Sequence, residues 1–476
     1  MKCVKKLVCV VVTALCVTPI FALSVRDNLI STSLVESQDS ITTTMRSLEN
    51  IYRFAERNFI YDIDYNKVYE AMASAMLDAF GDQWTMYIDS EESKAFKEGR
   101  VGDFGGIGIY LTKSPVSKQD YNDPKTLYVV IQGTMDGGPA MKAGLRSGDL
   151  IIKINDEDVV KMSAFEASNN VKGTPGTTVK LTIKRQDSTF DVTLTREIIK
   201  TPTTSSTILE NNIGYLKINE FTTHTHEQVK EELDKLKNTD ALIIDLRYNG
   251  GGDVFSCTET AKLFLQGYKT IVSAEGKNRA MNQVYTTSII NPYYNPLSPI
   301  VILTNGSTAS ASEILTGALR DNGRATVIGS KTYGKGVMQI SSAFGEGIVN
   351  VTAAEYKTPN GDKVNEIGIS PDIEVLDPVY DTAEHLDDKT AEILKKFSED
   401  EIAKKFVDEH TEFTDENIKL FVDTYKDEYQ LEDYILTSFV VYEYVNRMDS
   451  DKRPVALPKY DVQLKEAVKF LESEIN

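Results

Sequence analysis

Three serines lie in one short loop whose position suits nucleophilic chemistry. Ser307, Ser310 and Ser312 follow an apolar run at 299–304, where a helical pattern at 310–321 begins. A serine at a strand-to-helix turn can direct its hydroxyl outward while N–H groups at the helix start face a developing oxyanion. Ser310 lies at that turn, Ser307 within the loop and Ser312 inside the helix, so Ser310 is the predicted nucleophile. The alternative, that these serines only cap the helix, stays open.

A serine nucleophile needs a base, and histidine is scarce in this chain. Four histidines are present and none lies in this loop or its neighbours, so a neutral lysine is the predicted base. The pKa of this lysine would have to fall from about 10.4 toward 7–8. That shift corresponds to destabilising the ammonium by roughly 4 kcal/mol relative to the neutral amine, and burial can supply a free energy of this size. Lys335, between two glycines, suits this role, and Lys331 is the second choice. A serine–histidine hydrolase using His224 or His226 remains the alternative.

A glycine run at 250–252 follows a second apolar stretch, 241–246. Glycines allow the close backbone approach that an oxyanion loop requires, although the same run is equally compatible with a tight turn. Metal chemistry has little support, because His224 and His226 are two residues apart and do not share a helix face. We expect no metal site and no organic cofactor.

The elements that must position these loops alternate between strands and helices. Apolar runs at 241–246, 299–304 and 325–329 predict buried strands, and the patterns at 227–236 and 310–321 predict helices. This order predicts a mixed α/β fold with a sheet covered by helices. Since functional groups gather outside the carboxyl ends of such strands, the three loops should converge on one site.

The segments on either side of this core have different sequence patterns. Residues 23–98 are predicted to be mainly helical, with Trp84 as an aromatic anchor of a small core, and 99–197 show short strands with glycine punctuation. Residues 201–206 are expected to form a polar linker. After residue 377 the chain is charged and helical, which predicts a bundle that packs on the core or mediates assembly.

Composition restricts the partners and the cellular location. The formal charge of −19 argues against nucleic acid and against docking on anionic lipid. Basic residues followed by an apolar stretch predict a signal peptide over 1–22, hence export to the periplasm or cell envelope, with extracellular release as an alternative. Membrane contact is expected only if this segment is retained. Cleavage would leave Cys257 as the sole cysteine, which excludes an internal disulfide and a thiolate metal cluster.

The three loops together resemble the carboxy-terminal processing proteases, also called tail-specific proteases. The resemblance implies that Ser310 is the nucleophile, that Lys335 is the general base and that Gln339 orients the lysine. The matching stretches are DLRYNGGGD (245–253), NGSTASASEILTGALRD (305–321), YGKGVMQ (333–339) and YKTPNGDKVNEIGISPDIEV (356–375).

The same resemblance assigns the surrounding residues. Backbone N–H groups near Gly251 and Ala311 would stabilise the oxyanion, while Asp245 and Arg247, with Asn249 beside them, would support the glycine loop. The stretch FGDQWTMYIDSEESKAF (80–96) is similar to the family's lead-in, except that Gln and Trp replace its usual Pro and Tyr. We expect this departure to affect a structural segment and to leave the dyad untouched.

Residues 99–197 resemble a PDZ domain of the processing-protease type. The resemblance rests on GGPAMKAGLRSGDLIIKIN (137–155) and VKGTPGTTVKLTIKR (171–185). It implies that the loop of Phe104, Gly105, Gly106, Ile107 and Gly108 holds a terminal carboxylate while the tail adds as a strand. An apolar last side chain would lie between Ile107 and Ile109.

We therefore predict a serine endopeptidase that captures the apolar C-terminal tails of protein substrates. The predicted order is a signal peptide (1–22), a helical segment (23–98), a PDZ domain (99–197), a protease core (198–377) and a helical extension (378–476). An oligomer is compatible with this organisation. The rival hypothesis is a catalytically silent scaffold that only binds tails.

Overall fold

A computed structural model describes residues 39–114, 119–135, 137–186, 188–376, 388–448 and 452–475. The chain falls into two compact units, residues 1–69 and 70–476. In the described part of the first unit, α1 (Asp39–Asn58) is followed by the start of α2 (Tyr65–Asp78). The predicted signal peptide, 1–22, lies outside the described residues.

The second unit contains the remaining described elements. Its helices are α3 (Ser90–Val101), α4 (Pro124–Leu127), α5 (Pro139–Lys142), α6 (Ala164–Val171), α7 (Thr225–Leu236), α8 (Val254–Lys262), α9 (Ala311–Asp321), α10 (Asp388–Glu399), α11 (Ile402–Glu409), α12 (Asp415–Tyr429), α13 (Asp433–Arg447) and α14 (Val462–Ile475). Its strands are β1 (Met86–Ile88), β2 (Asp103–Gly106), β3 (Ile109–Thr112), β4 (Val129–Thr134), β5 (Leu150–Ile154), β6 (Glu157–Asp158), β7 (Thr178–Arg185), β8 (Ser188–Thr195), β9 (Glu197–Lys200), β10 (Thr204–Ile208), β11 (Ile213–Ile218), β12 (Ala241–Asp245), β13 (Gly267–Glu275), β14 (Gln283–Ile289), β15 (Ile300–Thr304), β16 (Thr326–Gly329), β17 (Val337–Phe344), β18 (Gly347–Lys357) and β19 (Ile373–Glu374).

A six-stranded sheet forms the centre of the second unit, in the order β10-β11-β12-β15-β16-β19. Only the β10–β11 pair is antiparallel within it. Every residue of β12 and β15 is buried, which explains why these strands are apolar on both faces. The predicted mixed α/β fold is confirmed.

Both faces of this sheet are covered. Side chains from α7, α8 and α9, such as Val229, Ala261 and Leu315, pack on one face. The other face is covered by α14, whose Leu464 and Leu471 are buried in the same cluster as strand residues of β12 and β15. The helical C-terminal segment thus packs on the core through its last helix, while α10 to α13 bury a separate aromatic-rich cluster.

A second, antiparallel sheet has the order β1-β18-β13-β14, with β17 beside β18. The strand–helix alternation did not predict this sheet. It joins β1, in the lead-in before the PDZ domain, to β18 near the end of the core, with Tyr87 opposite Val349. The PDZ domain is therefore inserted between two parts of one sheet.

The PDZ domain is a sheet in the order β3-β4-β5-β7-β8 with α6 packed on it. The alternating burial of β7 reflects a sheet with one face in the core. A separate pair, β2 and β9, holds the two ends of the domain together.

The predicted polar linker at 201–206 is wrong in its second half. Thr204 begins β10, which pairs along its length with β11 at the edge of the central sheet. Threonine is β-branched and favours extended backbone, and one edge of β11 was otherwise unpaired, so pairing overrides the polar character.

Among the described residues, none of the helices combines the length and the apolar character that crossing a bilayer requires.

Candidate active site

The three loops meet at the carboxyl ends of β12, β15 and β16, which are neighbouring parallel strands. Backbone hydrogen bonds connect them directly: the Ala309 N–H donates to the Asn249 carbonyl at 3.0 Å, and the Tyr333 N–H donates to the Thr308 carbonyl at 3.0 Å. The predicted convergence is therefore found in the structure.

Ser310 occupies a strained position at the start of α9. Its backbone has φ 57° and ψ −118°, a region that residues with a side chain rarely adopt. Ser310 is half-buried, whereas Ser312 is fully buried inside α9 and Ser307 lies in the preceding loop. Strain of this kind is often stored at functional sites, and here it sets the direction in which the serine side chain leaves the turn.

Glu313 connects the serine loop to the lysine loop. This residue is 0% exposed, and one carboxylate oxygen accepts the N–H groups of Ser310 at 2.8 Å and Lys335 at 2.9 Å. The other oxygen accepts the Gly334 N–H at 2.8 Å and the Thr332 hydroxyl at 2.5 Å. Burial raises the pKa of this carboxyl, and these four hydrogen bonds act in the opposite direction.

Tyr356 connects the same two loops through their carbonyl groups. Its hydroxyl donates to the Lys335 carbonyl at 2.7 Å and approaches the Ser310 carbonyl at 3.0 Å. The residue is 2% exposed. The backbones of Ser310 and Lys335 are thus linked twice, at their N–H groups by a carboxylate and at their carbonyls by a phenol.

Sequence reasoning assigned no role to Glu313 or Tyr356, although both lie in the quoted motifs. The spacing of Ser310 and Glu313 matches the S-x-x-E capping pattern, in which the glutamate side chain accepts the N–H of the capping residue. That signal could have identified Glu313. Tyr356 carried no comparable signal.

The Lys335 side chain is half-buried and its amine lies over the ring of Trp84, with Nζ 3.9 Å from the ring centroid. Burial lowers the pKa of this amine, while the negative charges of Asp82 and Glu313 oppose that effect. Within the described residues, no hydrogen bond joins Lys335 Nζ to Ser310 Oγ. The expectation that the Trp84 departure affects only a structural segment is wrong, because the indole contacts the predicted base, Lys335. Trp84 is half-buried and is not among the residues of the hydrophobic clusters in the described part of the chain.

The glycine loop packs against the serine turn. A Cβ added to Gly251 would lie 2.7 Å from Ser310 Cβ and 2.8 Å from the Ala311 nitrogen, so only glycine permits this approach. The Gly251 N–H donates to the Asn249 side chain at 2.9 Å, and Asn249 in turn donates to the Ile218 carbonyl at 2.9 Å. Asn249 therefore shapes the loop from a fully buried position.

A buried ionic network lies behind this loop. Arg247 donates to Asp245 at 2.6 Å and to Asp461, just before α14, at 2.7 Å. Burial alone would raise the pKa of Asp245, but Arg247 and Lys217 hold it far below its usual value. Asp245 also accepts the Tyr215 hydroxyl at 2.6 Å. These residues anchor the strand that leads into the glycine loop and contact no predicted reacting atom.

The remaining candidates lie in other surroundings. The Gln339 side chain donates to Thr352 at 3.3 Å, and no hydrogen bond to Lys335 is found in the described part of the chain. Lys331 is exposed. His224 Nε2 is 3.3 Å from Asp103, and His226 Nδ1 is 3.2 Å from the Ser256 hydroxyl.

Four of the five predicted tail-binding residues, all except Gly105, border a cavity of about 220 Å³ between β3 and α6. Gly105 and Gly106 belong to β2, which pairs with β9, and Gly108 follows with φ 71°. Lys172, whose Nζ lies 4.6 Å from the centre of the Phe104 ring, places a positive charge at the cavity. The cavity is lined by Phe104, Gly106, Ile107, Gly108, Ile109, Tyr110, Leu111, Ser168, Val171 and Lys172.

Residues 39–114, 119–135, 137–186, 188–376, 388–448 and 452–475 offer no group suited to hold a metal ion. These ranges contain no cluster of three or more histidine, cysteine, aspartate or glutamate side chains arranged for metal binding. Cys257 is buried, its thiol contacts the Ala311 carbonyl, and burial raises its pKa, so it is suited to packing rather than to nucleophilic attack.

The chain is similar to two family models and to several known proteins. Residues 212–375 match the model of peptidase family S41, and residues 105–184 match the PDZ domain model. The carboxy-terminal-processing protease of Bartonella bacilliformis is 32% identical over 74% of this chain and 81% of its own length. A CtpA-like serine protease of Staphylococcus aureus is 32% identical over 71% of this chain, which spans 66% of that relative's length.

Among solved structures, the photosystem II D1 C-terminal processing protease is 25% identical. The match covers 71% of this chain and 87% of that one, with a TM-score of 0.41. The chain belongs to the carboxy-terminal-processing proteases of peptidase family S41.

Proposed function

We propose that this protein is a serine endopeptidase in which Ser310 is the nucleophile and Lys335 is the general base. The observation that carries the proposal is the double link between their backbones through Glu313 and Tyr356. Such a link fixes a nucleophile and a base next to one another without constraining the lysine side chain. The strained backbone of Ser310 and the close approach of Gly251 support the same assignment.

In the first half-reaction, the neutral Lys335 amine takes the Ser310 proton as Oγ forms a bond to the peptide carbonyl carbon. The negative charge that develops on the carbonyl oxygen lies at the start of α9, where the Ala311 N–H is available as a donor. A second donor comes from the glycine loop near Gly251, whose own N–H is held by Asn249 in the resting structure. The C–N bond then breaks, and the Lys335 ammonium returns its proton to the leaving amine.

In the second half-reaction, a water molecule attacks the acyl-enzyme. The Lys335 amine removes a proton from this water, the bond between the acyl carbon and Ser310 Oγ breaks, and the proton is returned to the serine. Both halves require the uncharged amine. The lowered pKa of Lys335, caused by burial, favours that form.

We further propose that the PDZ domain, residues 99–197, delivers protein substrates to the protease core, residues 198–377. A C-terminal tail would add beside β3, with its carboxylate at the loop of Phe104 to Gly108 and its apolar last side chain against Ile107 and Ile109. The mostly apolar lining of the cavity and the Lys172 ammonium support an apolar, negatively charged chain end.

Export is part of the same proposal. The basic and apolar residues at 1–22 support a signal peptide, with delivery to the periplasm or cell envelope. Oligomerisation is compatible with this function.

The test compares four variants on one protein substrate that ends in an apolar tail. Ser310→Ala and Lys335→Ala should each lower kcat/KM by at least about 1,000-fold. Ser307→Ala and Lys331→Ala, in the same loops, are the matched controls and should retain activity. Equal cleavage by all variants would remove the dyad assignment. Tail binding without cleavage by the unmutated protein would favour a scaffold.

The tail requirement is tested with the same substrate carrying an amidated C-terminus. Amidation removes the negative charge and should raise KM while leaving kcat nearly unchanged. A His224→Gln and His226→Gln double variant should keep its activity. Loss of activity in that variant would transfer the role of base to a histidine.

A further inference from the structure

Trp84 is the only tryptophan of the chain, and it lies against the predicted base. The Lys335 amine is 3.9 Å from the centre of the indole ring, a distance typical of a cation–π contact. Because no hydrogen bond joins this amine to Ser310 Oγ among the described residues, the amine has to reorient before it can accept the serine proton. The indole is therefore the group that holds the base in the resting structure.

The position of Trp84 is set by the protease core. Its carbonyl accepts the Asn350 side-chain amide at 3.0 Å, and the hydroxyl of its neighbour Thr85 accepts the Thr352 N–H at 3.1 Å. Strand β1 then continues the pairing with β18. Residues 84 and 85 are therefore fixed by hydrogen bonds to β18. The same strand carries Tyr356, whose hydroxyl donates a hydrogen bond to the Lys335 carbonyl.

Burial lowers the pKa of the Lys335 amine, but several neighbouring groups act in the opposite direction at this position. The indole face attracts an ammonium but gains little from a neutral amine. Two carboxylates, Asp82 and Glu313, add to the attraction. Although burial would raise the pKa of Asp82, hydrogen bonds from Thr352, Thr85 and the Trp84 amide lower it, so Asp82 stays ionised at neutral pH. Attack by Ser310 requires the neutral amine instead.

We propose that Trp84 is a positioning residue for the base: its indole face holds the Lys335 ammonium at rest and releases the amine toward Ser310 when the proton is lost. This inference rests on the proposed function for its catalytic consequence. Its structural part, the contact between ammonium and indole, does not depend on catalysis. Proton loss and movement of the lysine are then one coupled event.

The first experiment uses Trp84 as its own reporter and needs no substrate. Fluorescence excited at a wavelength selective for tryptophan is recorded against pH for the full chain, for Lys335→Met and for Lys331→Met. The parent and Lys331→Met should share a transition with a midpoint below the ordinary lysine value of about 10.4, and Lys335→Met should lack it. Identical curves for the parent and Lys335→Met would overturn the contact.

The second experiment measures the pH dependence of kcat/KM for Trp84→Leu and Trp84→Phe. The control is Met86→Leu, two residues further along at the start of β1. Removing the cation–π contact should move the acid limb of Trp84→Leu to lower pH by about 0.4–1.5 units. Activity below the limb would then rise by about threefold to thirtyfold, with the plateau unchanged. Trp84→Phe, which retains a ring, should move less, and Met86→Leu should not move.

The outcomes separate the inference from the proposed function. An unmoved acid limb in a folded, active Trp84→Leu protein would overturn the positioning role. A parent protein without cleavage would contradict the proposed function, and the fluorescence comparison would still decide the contact. If Trp84→Leu does not fold, the acid limb of Trp84→Phe tests the positioning role, and the fluorescence curves of the parent and Lys335→Met test the contact.

Discussion

Replacing Glu313 by glutamine tests whether one buried carboxylate holds the catalytic loops together. Both carboxylate oxygens act only as acceptors, and four donors surround them. Glutamine turns one oxygen into an NH₂ group. An NH₂ group on the side of Ser310 and Lys335 faces two backbone N–H donors. On the other side it faces only the Gly334 N–H, because the Thr332 hydroxyl can rotate and accept.

The expected change in the free energy of unfolding follows from these contacts. One or two hydrogen bonds to a charged acceptor are lost, at about 1.5–3 kcal/mol each, and each backbone N–H that faces the NH₂ group is left without a partner. Burial raises the pKa of Glu313, which means that burying its negative charge costs free energy. The uncharged glutamine avoids this cost, so part of the lost stability is recovered. We expect a net loss of about 2–4 kcal/mol in the free energy of unfolding.

The assay combines urea unfolding with steady-state cleavage of the tail-bearing substrate. Since Glu313 contacts the backbones of Ser310 and Lys335, kcat should fall by at least about tenfold even under conditions where the variant is fully folded. Glu346→Gln, an exposed glutamate between β17 and β18, is the matched control and should change neither quantity. A Glu313→Gln protein with parental stability and parental kcat would refute the linking role.

Three further predictions concern the glycine loop, its support and the tail site. Gly251→Ala, whose Cβ would lie 2.7 Å from Ser310 Cβ, should lower kcat by about 100-fold or more in single-turnover measurements, whereas Gly250→Ala, which meets open space, should retain activity. Arg247→Met leaves its buried carboxylate partners uncompensated and should lower the free energy of unfolding by about 3–5 kcal/mol in urea titrations; parental stability would contradict the network's importance. Ile109→Ala should weaken binding of an apolar tail peptide about tenfold by fluorescence anisotropy without changing kcat, and an unchanged Kd would argue against the groove.

The sequence predicted those parts of the site that depend on local pattern. Ser310 follows a buried strand and precedes a helix, and this order alone places it at a turn where helix N–H groups are free. Parallel strands then bring the glycine loop to the same edge of the sheet. Gly251 was recognisable because close backbone approach admits few other residues.

The second sheet escaped prediction because its pairing is long-range. Strands β13, β14, β17 and β18 are half-exposed and polar in places, and β1 is only three residues long. A short segment of this kind gains its extended conformation from its partner rather than from its own composition. The contact of Trp84 with Lys335, 251 residues further along the chain, follows from that pairing and could not be inferred from local pattern.

The direction of the lysine side chain was the least predictable feature, and the reason is physical. Glycines on both sides of Lys335 and the two backbone links through Glu313 and Tyr356 fix where the side chain starts, but they leave its four-carbon stem free. The end of the stem goes to the best partner for its charge, which is the indole with Asp82 nearby when the amine is protonated. A neutral amine loses most of that attraction and can hydrogen-bond a hydroxyl instead. In the proposed mechanism Lys335 therefore has two positions that differ by one proton, and a motif that points to Lys335 as the base does not indicate which position its amine occupies.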